Sequence, residues 1–110
     1  MREPEFDRDG YPTKDTLTVV RVWTPEDGYE NLLAYVQRAW SYPDYFVQSK
    51  TRRRQWPRGP LTRIYHVSTG GWSGNEDLIR ALQENWMFWT MCWEQSRVGG
   101  HYIFRVRELT

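Results

Sequence analysis

The sequence predicts an α+β protein, a single small domain in which two helices pack on one face of a mixed, mostly antiparallel sheet of four to five strands. Several short runs alternate between apolar and polar residues, as half-buried strands do, whereas two longer runs repeat their apolar residues at helical spacing. A chain of 110 residues is long enough for one hydrophobic core without metal or disulfide support. Taken in order, the runs predict β-α-(β)-β-α-β-β.

The composition narrows the class of protein. The sequence has 15 basic and 14 acidic residues, so its net charge favours neither nucleic acid nor membrane as a partner. The single cysteine, Cys92, cannot form an intramolecular disulfide, which is typical of a reducing cytosol. There is no signal-peptide pattern and no apolar run of bilayer-spanning length. We therefore expect a soluble, cytoplasmic protein with no membrane partner.

The N-terminal stretch is predicted as an arm followed by a strand. Residues 1–15 contain five acids, two prolines and a glycine without an apolar period, which is typical of a flexible acidic arm before a domain at residues 16–110. Residues 17–23 are rich in β-branched side chains, which suit an extended chain on a pleated surface. They are predicted as the first strand.

The first helix has a start signal and an apolar stripe. Thr24 is a suitable capping residue, and Pro25 suits the first helical position. The helix should end before Pro43, and residues 45–47 are a candidate short strand. The stripe recurs at helical spacing and consists of Tyr29, Leu32, Leu33, Val36 and Trp40.

The second half of the chain predicts three strands and one helix. Residues 61–68 form the first of these strands, and residues 87–95 alternate so strictly that they predict a central strand with a buried wall of side chains. That wall consists of Met87, Trp89, Met91 and Trp93. Residues 97–100 have hairpin composition, and residues 101–107 alternate again. The helix between the first two strands has an apolar stripe of Leu78, Ile79, Leu82 and Trp86.

A glycine-rich turn precedes this second helix. A strand, a glycine loop and a helix N-terminus together are the usual arrangement for holding a phosphate, but the Walker pattern requires a lysine after its last glycine. Here Asn75 and Glu76 follow Gly74, and the carboxylate lies where the phosphate would be. Ser73 and Glu76 also have capping-box spacing. The sequence therefore predicts a structural turn and cap formed by Gly70, Gly71, Ser73, Gly74 and Glu76.

The strongest candidate for a binding surface is the basic stretch before residue 61. It combines cations with a stackable aromatic side chain, in the residues Arg52, Arg53, Arg54, Trp56 and Arg58. Arginine and tryptophan dominate protein-binding hot spots, and the same mixture binds single-stranded nucleic acid. A third interpretation is an ordinary solvated loop. Trp72 is a further candidate for an exposed aromatic contact.

Three residues with catalytic or metal-binding chemistry lie on predicted strands. His66, Cys92 and His101 would have to converge for a Cys–His nucleophile or a zinc site. Their spacing contains no CxxC, HxxxH or nucleophile-elbow motif, so Cys92 is predicted as a small core residue. The sequence predicts no catalytic residue, no metal site and no cofactor.

The glycine turn TGGWSGNE at residues 69–76 and the hairpin GGHY at residues 99–102 resemble a family of short, uncharacterised proteins of bacteriophages and prophages. The resemblance covers the C-terminal half of the chain and implies a phage context, but it carries over no activity or site residue. It implies a location in the host cytoplasm. Phage accessory proteins of this size often bind host macromolecules, so the resemblance favours a binding function.

The resulting hypothesis is a non-enzymatic binding module that engages a host protein through the basic stretch. Nucleic-acid binding through the same residues is the alternative, and a small enzyme is the third reading. A homodimer is a further interpretation, because the sequence has surplus aromatic residues and residues 101–107 are a candidate edge strand.

Overall fold

The computed structural model describes residues 3–52 and 61–107, and these residues form four α-helices and four β-strands. The helices are α1 (Lys14–Val22), α2 (Tyr29–Ala39), α3 (Ser73–Glu84) and α4 (Trp86–Cys92). The strands are β1 (Phe46–Arg52), β2 (Leu61–Ser68), β3 (Trp93–Arg97) and β4 (His101–Arg107). The α+β class is confirmed, but the order among the described residues is α-α-β-β-α-α-β-β.

The sheet consists of two hairpins side by side. Its strand order is β1-β2-β4-β3, and every neighbouring pair is antiparallel. The predicted mixed sheet is therefore wrong in this detail, because the described strands contain no parallel pair. β4 lies between β2 and β3, so residues 101–107 are not an edge strand. The predicted hairpin at residues 97–100 is confirmed, with positive φ at Gly99 (94°) and Gly100 (80°).

The prediction of a strand at residues 17–23 is wrong, because these residues belong to helix α1. Thr13 caps this helix, and its Oγ1 accepts a bond from the Thr16 amide at 3.2 Å. Thr16 and Val20 lie one turn apart and are both buried, whereas Val22 is exposed. The strand propensity of β-branched residues is weak, so a cap and packing against α3 override it.

The prediction of a central strand at residues 87–95 is also wrong. Residues 86–92 form helix α4, and only from Trp93 onward is the chain a strand, at the edge of the sheet. The side chain of Asn85 caps α4 by accepting a bond from the Phe88 amide at 3.2 Å. Phe88 and Cys92, one turn apart, are the buried residues of this helix.

Among the described residues, the helices pack on one face of the sheet. The prediction that helices pack on one face is confirmed, although the described residues contain four helices and not two. The buried strand residues are Phe46, Tyr65, Val67, Phe104 and Val106. They pack in one core with helix residues that include Leu32, Leu33, Val36, Leu82 and Phe88. The alternate residues Val47, His66 and Arg105 are exposed, and we call their side of the sheet the outer face.

A buried asparagine joins three segments of the chain. Asn75, in the first turn of α3, is fully buried. Its Oδ1 accepts a bond from the Ser41 amide at 2.9 Å, and its Nδ2 donates to the carbonyls of Ser41 (2.9 Å) and Thr69 (3.2 Å). The amide therefore ties the linker after α2 and the turn after β2 to the start of α3.

The N-terminal residues pack against the body of the domain. Of the predicted acidic arm, residues 14–15 belong to α1, and residues 3–13 form a turn around Asp7 that is closed by a bond from the Asp7 amide to the Tyr11 carbonyl at 2.8 Å. The Glu5 amide donates to Thr16 Oγ1 at 2.8 Å, and the Tyr11 ring lies 4.8 Å from that of Trp72. These contacts place the segment over the start of α3.

We expect Asn75→Ala to lower the free energy of unfolding by about 2–4 kcal/mol, because it removes all three bonds of the buried carboxamide and leaves the part-buried amide and carbonyl of Ser41 without these partners. Urea unfolding followed by tryptophan fluorescence measures this loss. The control is Asn31→Ala, which removes an exposed bond to the Asp27 carbonyl and should change stability by less than about 1 kcal/mol. Equal losses in the two variants would contradict the assigned role of Asn75.

Candidate functional site

The glycine-rich turn is structural, but its predicted capping box is not formed. Gly70 and Gly71 have positive φ angles of 61° and 75°, a conformation that glycine adopts without strain. Helix α3 begins at Ser73 without a side-chain cap bond. Ser73 Oγ lies 2.9 Å from the Tyr11 hydroxyl instead, so neither Ser73 nor Glu76 closes the predicted box.

Trp72 is half-buried and is part of this turn. Its ring packs against Tyr11 on one side and against Gly74 on another, where a Cβ atom would lie 2.5 Å from the indole Nε1. Any larger residue at position 74 would therefore displace the ring. This packing gives Trp72 a structural role in the turn, and its role as a partner contact stays a prediction.

Most of the predicted basic surface falls outside the described residues. Arg53, Arg54, Trp56 and Arg58 belong to residues 53–60, and Arg52 is the last residue of β1. The flanking strands are paired up to Arg52, which lies opposite Leu61. Arg63, a base of β2 beyond this stretch, forms an ion pair with Glu30 of α2 and so contributes to the fold.

The structure separates the cysteine from both histidines. Cys92 is buried in the core, 4% exposed, as the sequence predicts, and burial raises the pKa of its thiol to about 12. His66 and His101 are exposed on the outer face, so the sheet lies between them and Cys92. A Cys–His nucleophile is therefore wrong for these residues. Within residues 3–52 and 61–107, no three His, Cys, Asp or Glu side chains are grouped to hold a metal ion.

A cluster of exposed apolar side chains covers α4 and the start of β3. We call it the α4 surface, and its members with their exposed fractions are Trp86 (73%), Met87 (46%), Met91 (60%) and Trp93 (42%). Because α4 buries Phe88 and Cys92, the helix turns Met87 and Met91 away from the core. Residues 86–93 contain no charged side chain. A helix that is apolar on all sides is normally buried, so this one is well suited to be covered by a partner.

Trp93 is held in a fixed orientation within the α4 surface. Its ring stacks on Trp89 at 5.9 Å with an interplanar angle of 17°, and its Nε1 donates to Ser96 Oγ at 2.8 Å. A side chain that is already ordered loses little entropy when a partner covers it. The α4 surface therefore combines an ordered aromatic ring with adaptable methionines.

The β3 edge beside the α4 surface is protected against strand pairing. β3 has five residues, and its register with β4 is irregular between Trp93 and Gln95. Glu94, at the irregularity, forms a 3.2 Å ion pair with Arg105. Short length, irregularity and charge are the usual ways in which proteins block edge-to-edge pairing. The α4 side chains, and not the strand edge, are the accessible binding feature.

The outer face has a shallow depression at the end of the sheet near the β3–β4 turn. Its cavity volume is about 260 Å³, and His66, Ser68, Arg97 and His101 contribute polar atoms to its lining. The two histidines are candidates from the sequence alone, whereas Ser68 and Arg97 are not. Only the register of β2, β4 and β3 brings these four residues to one place.

The α4 surface is not predicted from the sequence, although the sequence contains residues that indicate helix α4. The predicted strand buries Met87, Met91 and Trp93, and the structure exposes all three. The residues that indicate the helix are Asn85, a good helix-capping residue, followed by Phe88 and Cys92 at helical spacing. An alternating pattern made almost entirely of apolar residues does not distinguish a strand from a helix.

Comparison with protein-family models, with curated proteins and with solved structures gave no match. The resemblance to bacteriophage proteins therefore stays a prediction. None of the helices that the structure describes has both the length and the apolar character needed to cross a membrane.

The buried thiol predicts a pH dependence of stability. The pKa of Cys92 is raised to about 12 from an ordinary 9.0, so the folded protein keeps a proton that the unfolded chain releases. The contribution of the Cys92 thiol to the free energy of unfolding is complete below pH 9.0. It is lost between pH 9.0 and about 12, by up to about 1.4 kcal/mol per pH unit.

Urea unfolding of the wild type and of Cys92→Ala at about pH 8 and about pH 10 measures this effect. Between these two pH values, the free energy of unfolding should fall less for the variant than for the wild type. Tyr65, whose pKa burial also raises to about 12, contributes equally to both proteins. Parallel curves for the two proteins would contradict a folded-state pKa raised by burial of the thiol.

Proposed function

We propose that the protein is a non-enzymatic binding module and that the α4 surface engages a protein partner. The observation that supports this proposal is the exposure of Trp86, Met87, Met91 and Trp93 in the run of residues 86–93, which contains no charged side chain. Tryptophan and methionine are enriched at protein interfaces, and tryptophan leads hot-spot statistics. In the phage context implied by the resemblance, the partner is a host protein in the host cytoplasm.

The size of the α4 surface fits an interface core. Four side chains of this size, about half exposed, present roughly 400–500 Å² of apolar surface. This is as large as the largest apolar patch of a typical monomer, and it is about half of what each partner contributes to a standard interface. A partner therefore needs an apolar groove or helix face for these side chains and polar groups around it.

The charged groups beside the α4 surface suit the rim of such an interface. Glu94 on β3 is exposed, follows Trp93 directly in the chain and is paired with Arg105. Rim charges contribute little to affinity but affect the rate and orientation of association. Val22, at the end of α1, is also 63% exposed, and Asn85 ties that helix end to α4 through bonds to the Val20 and Trp23 carbonyls.

The basic stretch at residues 52–58 remains part of the proposal as a separate contact. It is flanked by β1 and β2, whereas the α4 surface adjoins β3, at the opposite edge of the sheet. One partner of ordinary size therefore need not touch both. Separate variants of the two regions distinguish their contributions.

We expect Trp86→Glu and Met91→Glu each to weaken partner binding at least about tenfold, because each places a charge in a desolvated apolar contact. Both residues are exposed, so the free energy of unfolding should change by less than about 1 kcal/mol. The partner is first identified by a photo-crosslinking amino acid at position 91 in host cells, followed by mass spectrometry. Calorimetry with the purified partner then measures affinity.

The matched control is Val98, which is fully exposed in the β3–β4 turn. A crosslinker at position 98 should not give the adduct, and Val98→Glu should bind like the wild type. Equal adducts from both positions would contradict the assignment of the surface. An adduct of twice the chain mass would identify a second copy and contradict a host partner.

Nucleic-acid binding through the basic stretch is the second candidate, and one observation favours it. Arg105 and Arg107 are exposed on the outer face, and Arg107 pairs with Thr62 beside the start of β2. Cations of β4 therefore lie at the end of the sheet from which residues 53–60 leave. Arg107, and Arg105 together with its partner Glu94, would add to the phosphate contacts of the basic stretch.

For this candidate we expect the affinity for a single-stranded oligonucleotide to fall as the salt concentration rises. A plot of the logarithm of the binding constant against the logarithm of the salt concentration should have a slope of about −0.7 for each neutralised phosphate. Changing Arg52, Arg53 and Arg54 together to glutamate should make the slope shallower by about 2. Gel shifts over a series of salt concentrations measure it. Absence of binding at low salt would remove nucleic acid as the ligand.

A further inference from the structure

We propose that the depression on the outer face, near the β3–β4 turn, is a binding site for a phosphate group. The site is distinct from the α4 surface and from the basic stretch, which leaves the sheet at the opposite end of β2. It therefore adds a small-anion function that does not depend on the protein-binding proposal.

The strand register brings the donors of the site together. Ser68 of β2 lies opposite His101 of β4, and His101 lies opposite Arg97 of β3. These three residues form one row across the sheet, with their side chains on the outer face. His66 lies opposite Ile103 in the next row and lines the same depression. Side chains in adjacent rows of one face are close enough to bind a single ligand.

The charges of the site favour an anion. Among the residues that the structure describes, Arg97 forms no ion pair, and its hydrogen bond goes to Gln95 Oε1 at 3.5 Å. Glu94, the acidic residue of β3, is paired with Arg105. The described residues that line the depression include no carboxylate, and Asp44 lies beside the lining residue Tyr45 in the chain. The guanidinium of Arg97 therefore gives the depression a positive charge that none of its described lining residues neutralises.

The donor types match phosphate. The guanidinium fork of Arg97 is able to bind two phosphate oxygens at once. The imidazole N–H groups of His66 and His101 and the hydroxyl of Ser68 are further donors. Tyr45, 49% exposed, lies at the same depression and offers a ring for an organic group attached to the phosphate. A phosphate ester, such as a nucleotide, is the class of ligand that uses all of these groups.

The turn that carries His101 is held firmly in place. The Thr69 amide donates to the Gly100 carbonyl at 3.0 Å, and a Cβ atom at Gly100 would lie 2.3 Å from Thr69 Oγ1. The His101 ring packs over Gly99, where a Cβ atom would be 3.4 Å from its Nε2. Both glycines permit this close packing, so the rim of the depression is preorganised for a ligand.

The test is a titration of the full chain, followed by NMR of the histidine and arginine side chains, with inorganic phosphate, adenosine monophosphate and a short single-stranded oligonucleotide as ligands. We expect phosphate and the nucleotide to shift the signals of His66, His101 and Arg97. Arg97→Gln should weaken binding at least about tenfold, because it removes the charge-assisted bonds. The matched control, Arg80→Gln, changes an exposed arginine of α3 and should leave binding unchanged.

The ligands also distinguish the source of the phosphate. Tighter binding of the oligonucleotide, lost in Arg97→Gln, assigns the site to a nucleic-acid phosphate, whereas preference for the mononucleotide assigns it to a free phosphate ester. Absence of shifts at about 10 mM of all three ligands overturns the proposal. Equal weakening by Arg80→Gln also overturns it.

Discussion

The fold depends on the buried carboxamide of Asn75. Its three hydrogen bonds join the linker after α2, the turn after β2 and the first turn of α3. A buried polar group is stable only when its partners are present, so these segments must come together in one arrangement. Asn85 has the same function at the start of α4, where its Nδ2 bonds the Val20 and Trp23 carbonyls at the end of α1. The two amides thus position the helices on one side of the sheet.

This one-sided arrangement produces both candidate surfaces. With the helices on the inner face, the outer face meets solvent, and cross-strand rows such as Ser68, His101 and Arg97 become a possible ligand site. Asn85 turns the chain sharply between α3 and α4, so that α4 contacts the core through Phe88 and Cys92. A helix as short as α4 cannot bury all of its apolar residues there, and the remainder forms the α4 surface.

The organisation of the sheet separates structural from functional roles. The best-specified stretch of the sequence, the glycine turn with Trp72 and Gly74, is occupied by contacts with Tyr11 and Thr69 and serves the fold. The α4 surface and the depression have side chains whose exposure the fold does not require. A contiguous exposed apolar patch lowers solubility unless a partner covers it, which is the physical reason for assigning a binding role to the α4 surface.

From the sequence by itself, the α+β class, the strands at residues 61–68 and 101–107, the helix stripe from Tyr29 to Val36 and the glycine hairpin are all predictable. These segments have one clear period or a turn residue with a required backbone conformation. Only the tertiary structure decided that residues 14–22 and 86–92 are helices, because their apolar and β-branched residues satisfy helical and strand periods alike. The helix is favoured at both places by the caps of Thr13 and Asn85 and by the long-range bonds of the two buried asparagines. They also decide which tryptophans face solvent, and no local pattern contains that information.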